Sequence, residues 1–182
     1  QVDDEMNPIP GTEQDYSCDT LILSVGLIPE NELSKKAGVA LDPVTGGPYV
    51  DEHFQTNIPG IFAAGNVVHV YDLVDYVSMA GGEAGKSAAE FALAEKDRAA
   101  RYIPLVPGMN VRYIVPHKLD KKALERGDIS LQMRVTRPIE EDVWMEVRGE
   151  TNSIVRRSER YVRPGEMVTI VLPDEGEHET LK

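Results

Sequence analysis

The chain is poor in cysteine, in aromatic residues, in positive charge and in long apolar runs. Cys18 is the only cysteine among 182 residues. One thiol closes no intrachain disulfide, and no C-x-x-C pair is present for dithiol redox work. A reducing cytoplasm is the simplest compartment for such a chain. Cys18 adjoins the apolar run Leu21-Ile22-Leu23 and reads as a small buried hydrophobe. No stretch approaches the ~18 apolar residues of a membrane helix, and no basic-then-apolar leader opens the sequence. The first residue is Gln1 rather than Met, as expected from processing or from excision out of a longer protein. Lys and Arg number 19 against 31 Asp and Glu, a formal net charge of −12. That balance argues against nucleic acid as a partner.

What is present is ordinary globular material, 41% apolar and 27% charged, enough for one large or two small domains. The charge is uneven: residues 1–102 carry −11 of the net and residues 103–182 only −1. This places a domain boundary near residue 102. Residues 1–17 are loop-like, with turns at Asn7-Pro8 and Pro10-Gly11. Asp19–Val25 holds a short apolar run closed by Gly26 and predicts a buried strand. Pro29 to Glu32 opens a short helix with acidic residues first, Lys35 and Lys36 last, and Gly38 as its stop. Gly46-Gly47-Pro48 is a turn and Tyr49-Val50-Asp51 a brief strand. A helix is expected over about 76–96, with Asp75 as its N-cap. Ala80, Ala84 and Ala88 lie four apart, giving it one face of small side chains. Gly81, Gly82 and Gly85 cost that helix about 1 kcal/mol each, so something besides propensity holds them there.

Beyond residue 102 the texture changes. Pro104, Pro107-Gly108 and Pro116 punctuate an expected linker, and Lys118–Arg126 suits a short helix. Then Ile129, Leu131, Met133 and Val135 alternate with Ser130, Gln132, Arg134 and Thr136, the period of a strand. Val143, Met145 and Val147 repeat the pattern, with Trp144 expected at the core or edge of a sandwich. Ile154–Val162 and Met167–Leu172 add two strands around the turn Arg163-Pro164-Gly165. Strands with Pro/Gly turns and little helix predict a small all-β, immunoglobulin-like sandwich. Arg156, Arg157, Arg160 and Arg163 read as a solvated basic face, and 174–182 as a disordered acidic tail.

Three segments carry the chemistry. Thr56-Asn57-Ile58-Pro59-Gly60-Ile61-Phe62-Ala63-Ala64-Gly65-Asn66 is a turn and a short apolar strand delivering one polar side chain beside a glycine. Glycine there lets backbone approach another group without a Cβ in the way; a plain strand-to-turn transition fits it equally well. Val77-Ser78-Met79-Ala80-Gly81-Gly82 opens a helix whose free N–H groups would suit negative charge; by itself it is as readily an ordinary amphipathic helix. Asp19-Thr20-Leu21-Ile22-Leu23-Ser24-Val25-Gly26-Leu27-Ile28-Pro29 is, alone, a strand and a turn. His69, Asp72 and Asp75 match no metal spacing, so no metal is expected, and no catalytic residue is singled out. His69 is read as structural or surface before any role in moving protons near a cofactor.

In that order, over about residues 15–95, these segments resemble FAD-dependent pyridine nucleotide-disulfide oxidoreductases, with their T-x-x-P-G-[IV]-[FY]-A-x-G-D motif. Asn66 stands where that family has Asp. The run Gly65–Asp75 and the segment Arg163-Pro164-Gly165-Glu166-Met167 resemble a subgroup associated with glycerol-3-phosphate dehydrogenase-type flavoproteins. The resemblance implies an α/β fold: a remnant of an NAD(P)-binding domain (1–20), the C-terminal part of a Rossmann-like FAD domain (21–102) and the β-sandwich (103–182). It implies FAD and NAD(P)H as cofactors of a full-length parent. Gly65 and Asn66 would lie at the polyol, Val77, Ser78, Met79, Ala80, Gly81 and Gly82 at the pyrimidine edge of the flavin, and Gly26 at the nicotinamide side. The chain has no G-x-G-x-x-G loop, which the family needs once for each dinucleotide. The expectation is therefore a C-terminal fragment, inactive alone, from an oxidoreductase passing electrons between NAD(P)H, FAD and a substrate or partner. Expected partners are a second copy of the chain, or a second flavoprotein or electron-transfer subunit. The alternative is a non-catalytic assembly module built on the β-sandwich.

Overall fold

The computed structural model describes residues 1–3, 7–24, 26–93, 101–124, 128–149 and 152–173. In chain order they form α1 (Glu32–Lys36), a 3-10 turn (Gly65–Val67), α2 (Val74–Leu93), β1 (Tyr102–Pro104), β2 (Val111–Val115) and β3 (Lys118–Asp120). There follow α3 (Lys121–Leu124), β4 (Ile129–Val135), β5 (Val143–Arg148), β6 (Ser153–Glu159) and β7 (Val168–Leu172).

β4 is the spine. It pairs antiparallel with β2 on one side and β7 on the other. Its Leu131, Met133 and Val135 are at most 3% exposed and share a core with Met145, Val162, Ile170 and Leu172. Part of that core comes from the antiparallel ribbon of β5 and β6. Because successive strand side chains point to opposite faces, Ser130, Gln132 and Arg134 look the other way. Their cross-strand partners include Tyr113, opposite Arg134, and Val115, opposite Gln132. Tyr113 and Val115 complete a second core with Val50 and Val68 from the first half of the chain. The three-stranded sheet is thus covered on both faces.

The second face carries polar side chains, and Arg134 among them meets acceptors from both halves of the chain. Arg134 donates from Nε to the Tyr113 hydroxyl (3.1 Å), from Nη1 to the Pro164 carbonyl (3.3 Å) and from Nη2 to the Val70 carbonyl (3.0 Å). The same Nη2 pairs with the Asp72 carboxylate. Burial is the largest single influence and works against this cation, but the hydrogen bonds and charge of Asp72 and Tyr113 together outweigh it and raise the Arg134 pKa. The other Asp72 oxygen accepts from the Met167 amide at 2.8 Å. His117 fastens a second point. Its Nδ1 accepts from the Val50 amide (3.1 Å), its own amide donates to the Val50 carbonyl (2.9 Å), and Nε2 lies 3.5 Å from Asp42. Burial lowers its pKa, against a smaller pull from Asp42.

His69 is 1% exposed, its ring centroid 4.4 Å from that of Tyr71 and 5.7 Å from that of Tyr113. Neither ring nitrogen has a hydrogen-bond partner. Burial pushes its pKa down to about 4, opposed in part by the nearby Gln132 amide, which lies outside hydrogen-bond geometry.

Several expectations are corrected. Leu21, Ile22 and Leu23 are 73–86% exposed and form no strand. An extended segment needs neighbouring strands for its amides and carbonyls, and no described strand pairs with it. Cys18, beside it, is exposed rather than buried. Tyr49–Asp51 forms no strand, though Val50 is completely buried. The expected linker contains β2, and the expected helix at 118–126 begins as β3. Segment 103–117 is apolar on the face that meets Val50 and Val68, which makes it core. The boundary near 102 is crossed by that shared core and by Tyr102, whose hydroxyl donates to Asp51 at 2.9 Å. Trp144 is 61% exposed, on the outer side of β5 with the Arg156 guanidinium 4.1 Å over its ring. The alternation that buries Met145 places its neighbour outward. The seven described strands fall into one three-stranded sheet and two two-stranded ladders, not into the two larger packed sheets of an immunoglobulin-like sandwich. α2 starts at Val74, so Asp75 lies in its first turn rather than at the cap. The acidic tail and the expected helix end at 94–96 lie outside the described residues.

Replacing Arg134 by Met leaves Asp72, the Val70 carbonyl and the Tyr113 hydroxyl without their donor. The expected loss is about 2–3 kcal/mol, below a fully buried pair because Asp72 is partly exposed. Arg134→Lys recovers little of it, because an ammonium cannot span the same acceptors. Urea midpoints at constant m-value test this; an unchanged Arg134→Met midpoint would refute it. His69 gives a pH signature. Its folded pKa lies below its unfolded value near 6.5, so the unfolded state binds the proton first. Stability therefore falls as pH drops from about 6.5 toward 4, by up to about 3 kcal/mol. His69→Phe should show a shallower loss over that window in matched urea titrations.

Candidate functional site

The segment 54–66 is a hairpin-like turn. Gln55 bridges Phe62, Thr56 donates its amide to Ile61 (2.9 Å) and Ala63 donates to Phe54 (2.9 Å). The chain then enters the 3-10 turn at Gly65, where φ is +74. This left-handed conformation suits glycine. A Cβ there would also stand 3.1 Å from Cγ1 of Val77, so Gly65 lets the turn lie against the start of α2. At the other end, a Cβ on Gly60 would meet the Phe91 ring at 3.2 Å, and Phe62 packs edge-on to Phe91 at 5.9 Å. Segment 60–65 and α2 therefore run antiparallel, pinned at both ends.

Asn66 follows Gly65 and is exposed. Its Oδ1 accepts from the Tyr71 amide at 3.1 Å, which closes the loop before α2. With the acceptor engaged, Nδ2 remains as a donor toward solvent. The amides of the first helical turn, Val74 to Val77, have no carbonyl one turn earlier in the helix and make its positive end. A free amide donor beside a helix N-terminus, with glycine permitting close approach, suits an oxygen-rich or anionic group.

The sequence-predicted residues divide among several environments. Gly65, Asn66 and Val77 come together. Ser78 sits inside the helix and donates its hydroxyl to the Val74 carbonyl at 3.1 Å, and its amide, like those of Met79 to Gly82, belongs to helical bonding. Met79 and Ala80 line a cavity facing β4. Gly81 and Gly82 are exposed, with open space where a Cβ would stand, so no contact among the described residues explains them. Gly26 is exposed at φ +109.

Asn31 escaped the sequence reading. It is 4% exposed and its amide donates to the carbonyls of Gly46 (3.0 Å) and Val67 (2.8 Å). It thereby holds the 42–48 turn against the 3-10 turn, where Gly47 leaves no room for a Cβ beside Val68. Its only sequence signal is a polar residue before a helix, which says nothing of a partner 36 residues away. Among the described residues no helix is long and apolar enough to cross a membrane.

Residues 1–84 match the pyridine nucleotide-disulphide oxidoreductase family. The chain is 42% identical over 59 residues to the mitochondrial dihydrolipoyl dehydrogenase of Caenorhabditis elegans, covering 32% of this chain and 12% of that protein. It is 39% identical over 61 residues to dihydrolipoyl dehydrogenase of Manduca sexta, covering 32% and 12%. Over 59 residues it is 39% identical to an NADH oxidase of Methanocaldococcus jannaschii, covering 32% and 13%. The chain thus spans only 12–13% of the length of these relatives. No solved structure matches it. Its first 84 residues are thus similar to a segment of the pyridine nucleotide-disulphide oxidoreductase family, whose members depend on FAD and NAD(P)H.

Proposed function

We propose that Gly65, Asn66 and the start of α2 form part of a FAD site in an NAD(P)H-dependent flavoprotein. The observation that carries the reading is the juxtaposition of Gly65, held against Val77, with the exposed Asn66 amide beside a helix N-terminus. FAD, when bound, supplies the hydride and electron chemistry that no side chain provides. Asn66 Nδ2 donates to a polyol hydroxyl or phosphate oxygen. An amide does this without the repulsion a carboxylate would add. The first-turn amides of α2 favour negative charge at the adjoining ring edge. Val77, Ser78, Gly81 and Gly82 share one side of α2 along which a flat ring can lie, Met79 and Ala80 turn toward the cavity at β4, and Gly26 leaves room at the nicotinamide side.

In this reading the chain is the C-terminal portion of a longer polypeptide whose other parts hold the two glycine-rich loops. Electrons pass on to a substrate, a second copy or a partner subunit. The run Gly65–Asp75 and the segment Arg163–Met167 favour the subgroup associated with glycerol-3-phosphate dehydrogenase. With both loops elsewhere, the 182-residue chain alone binds FAD weakly and oxidises no NAD(P)H.

The full-length parent should be yellow, with a flavin spectrum that bleaches on addition of NADH or NADPH. In that parent, Asn66→Ala should weaken FAD binding by about five- to tenfold, the worth of one hydrogen bond. A parent that stays colourless with added FAD, or binds it equally well without the Asn66 amide, would count against the assignment.

A further inference from the structure

Between the first half of the chain and the polar face of β4 lies a cavity of about 320 Å³. Four carboxylate residues line it, Asp51, Glu52, Glu83 and Asp128, and among the described residues no Lys or Arg does. The rest of the wall is largely apolar, with Phe54, Met79, Ala80 and Ile129 among its members. Two polar groups in this wall lack partners. The Glu52 side chain is only 5% exposed. Its Oε2 accepts from the Asp120 amide at 3.0 Å, but Oε1 has no hydrogen bond and only the His53 imidazole at 3.6 Å. Tyr71 is 7% exposed and its hydroxyl also has no partner. Asp51, by contrast, is already satisfied by the amides of His53 and Gln55 and the hydroxyl of Tyr102.

A buried carboxylate oxygen without a donor is costly, and burial raises the pKa of Glu52. A ligand that brings N–H donors and positive charge removes that cost. Among the described lining residues an anion would meet four carboxylates and neither Lys nor Arg. A bare metal ion would need several oxygens converging on one point, whereas this wall is mostly hydrocarbon with Tyr71 and Tyr76 rings in it. Aromatic faces attract organic cations, and apolar walls suit a hydrocarbon body.

We propose that this cavity binds a small organic ammonium, its N–H groups on Glu52 Oε1 and the Tyr71 hydroxyl and its hydrocarbon portion against Phe54, Met79 and Ile129. Met79 and Ala80 line this cavity although the sequence placed them near flavin, but Glu52 and Tyr71, which would hold the ligand, have no part in the flavin reading. The site uses Ser130 and Gln132 of β4, beyond the segment matched by the family, and it needs no bound cofactor.

The test is calorimetric titration of the 182-residue chain, without FAD, using n-hexylammonium, hexanoate and 1-hexanol. The amine should bind saturably, at least about tenfold more tightly than the anion or the alcohol. Amide NMR shifts should centre on residues 51–54 and 76–83. Glu52→Gln should weaken amine binding about tenfold, and Glu83→Gln, on the exposed side of α2, a few-fold. If Glu52→Gln fails to fold, Tyr71→Phe and Glu83→Gln decide. No saturable amine binding, equal affinity for hexanoate or hexanol, shifts centred elsewhere, or folded variants with undiminished affinity would each overturn the proposal.

Discussion

The structure depends on one guanidinium. Arg134 sits on the polar face of the central strand and reaches Tyr113 in the neighbouring strand, Pro164 after β6, and Val70 and Asp72 in the loop before α2. A planar fork of donors can meet acceptors in several directions at once, and here its four acceptors belong to three separate segments. Asp72 extends the joint by accepting from Met167. The loop that carries Asn66 toward α2 is therefore anchored to the sheet, not only to its own hairpin. His117 does the same for the 42–50 segment.

This anchoring explains how a chain with a net charge of −12 packs a polar strand face inside. The charged groups at that seam are paired, while the groups left unpaired cluster around His69 and the adjoining cavity. His69 is tolerated because it stays neutral when folded. Glu52 and Tyr71 are neighbours in the cavity wall, and burial raises both pKa values, that of Tyr71 to about 12. The seam combines a tight ionic joint with an under-satisfied hollow, and the hollow is where a ligand gains most by entering.

Much of the local structure was legible from residue order. The alternation from Ile129 to Val135 gave a strand with the right residues inward, because a period of two admits one buried face. Glu32 to Lys36 formed its helix, with Gly38 beyond it at φ +78. The four-residue spacing of Ala80 and Ala84 marked the buried stripe of α2. Gly65 and Asn66 were recognisable as a close-approach glycine with a polar follower. The errors came where a segment's state depends on a distant partner. Leu21–Leu23 is as apolar as any core strand, yet without a paired strand it lies exposed. Segment 111–115 sits among prolines and glycines, yet Val50 and Val68 draw it into a core.

The sequence by itself determined periods, turns, the charge balance and the motif order that points to a flavoprotein segment, since all of these rest on neighbours along the chain. Only the tertiary structure decided that Gln132 and Arg134 on the polar face of β4 are partly covered, that Arg134 joins the two halves, and that Glu52 and Tyr71 share a cavity wall. Side chains such as Arg134 and Gln132 read as solvent-facing in any strand pattern. Whether water or another segment satisfies their hydrogen bonds depends on which surface arrives opposite them, and no local pattern encodes that arrival.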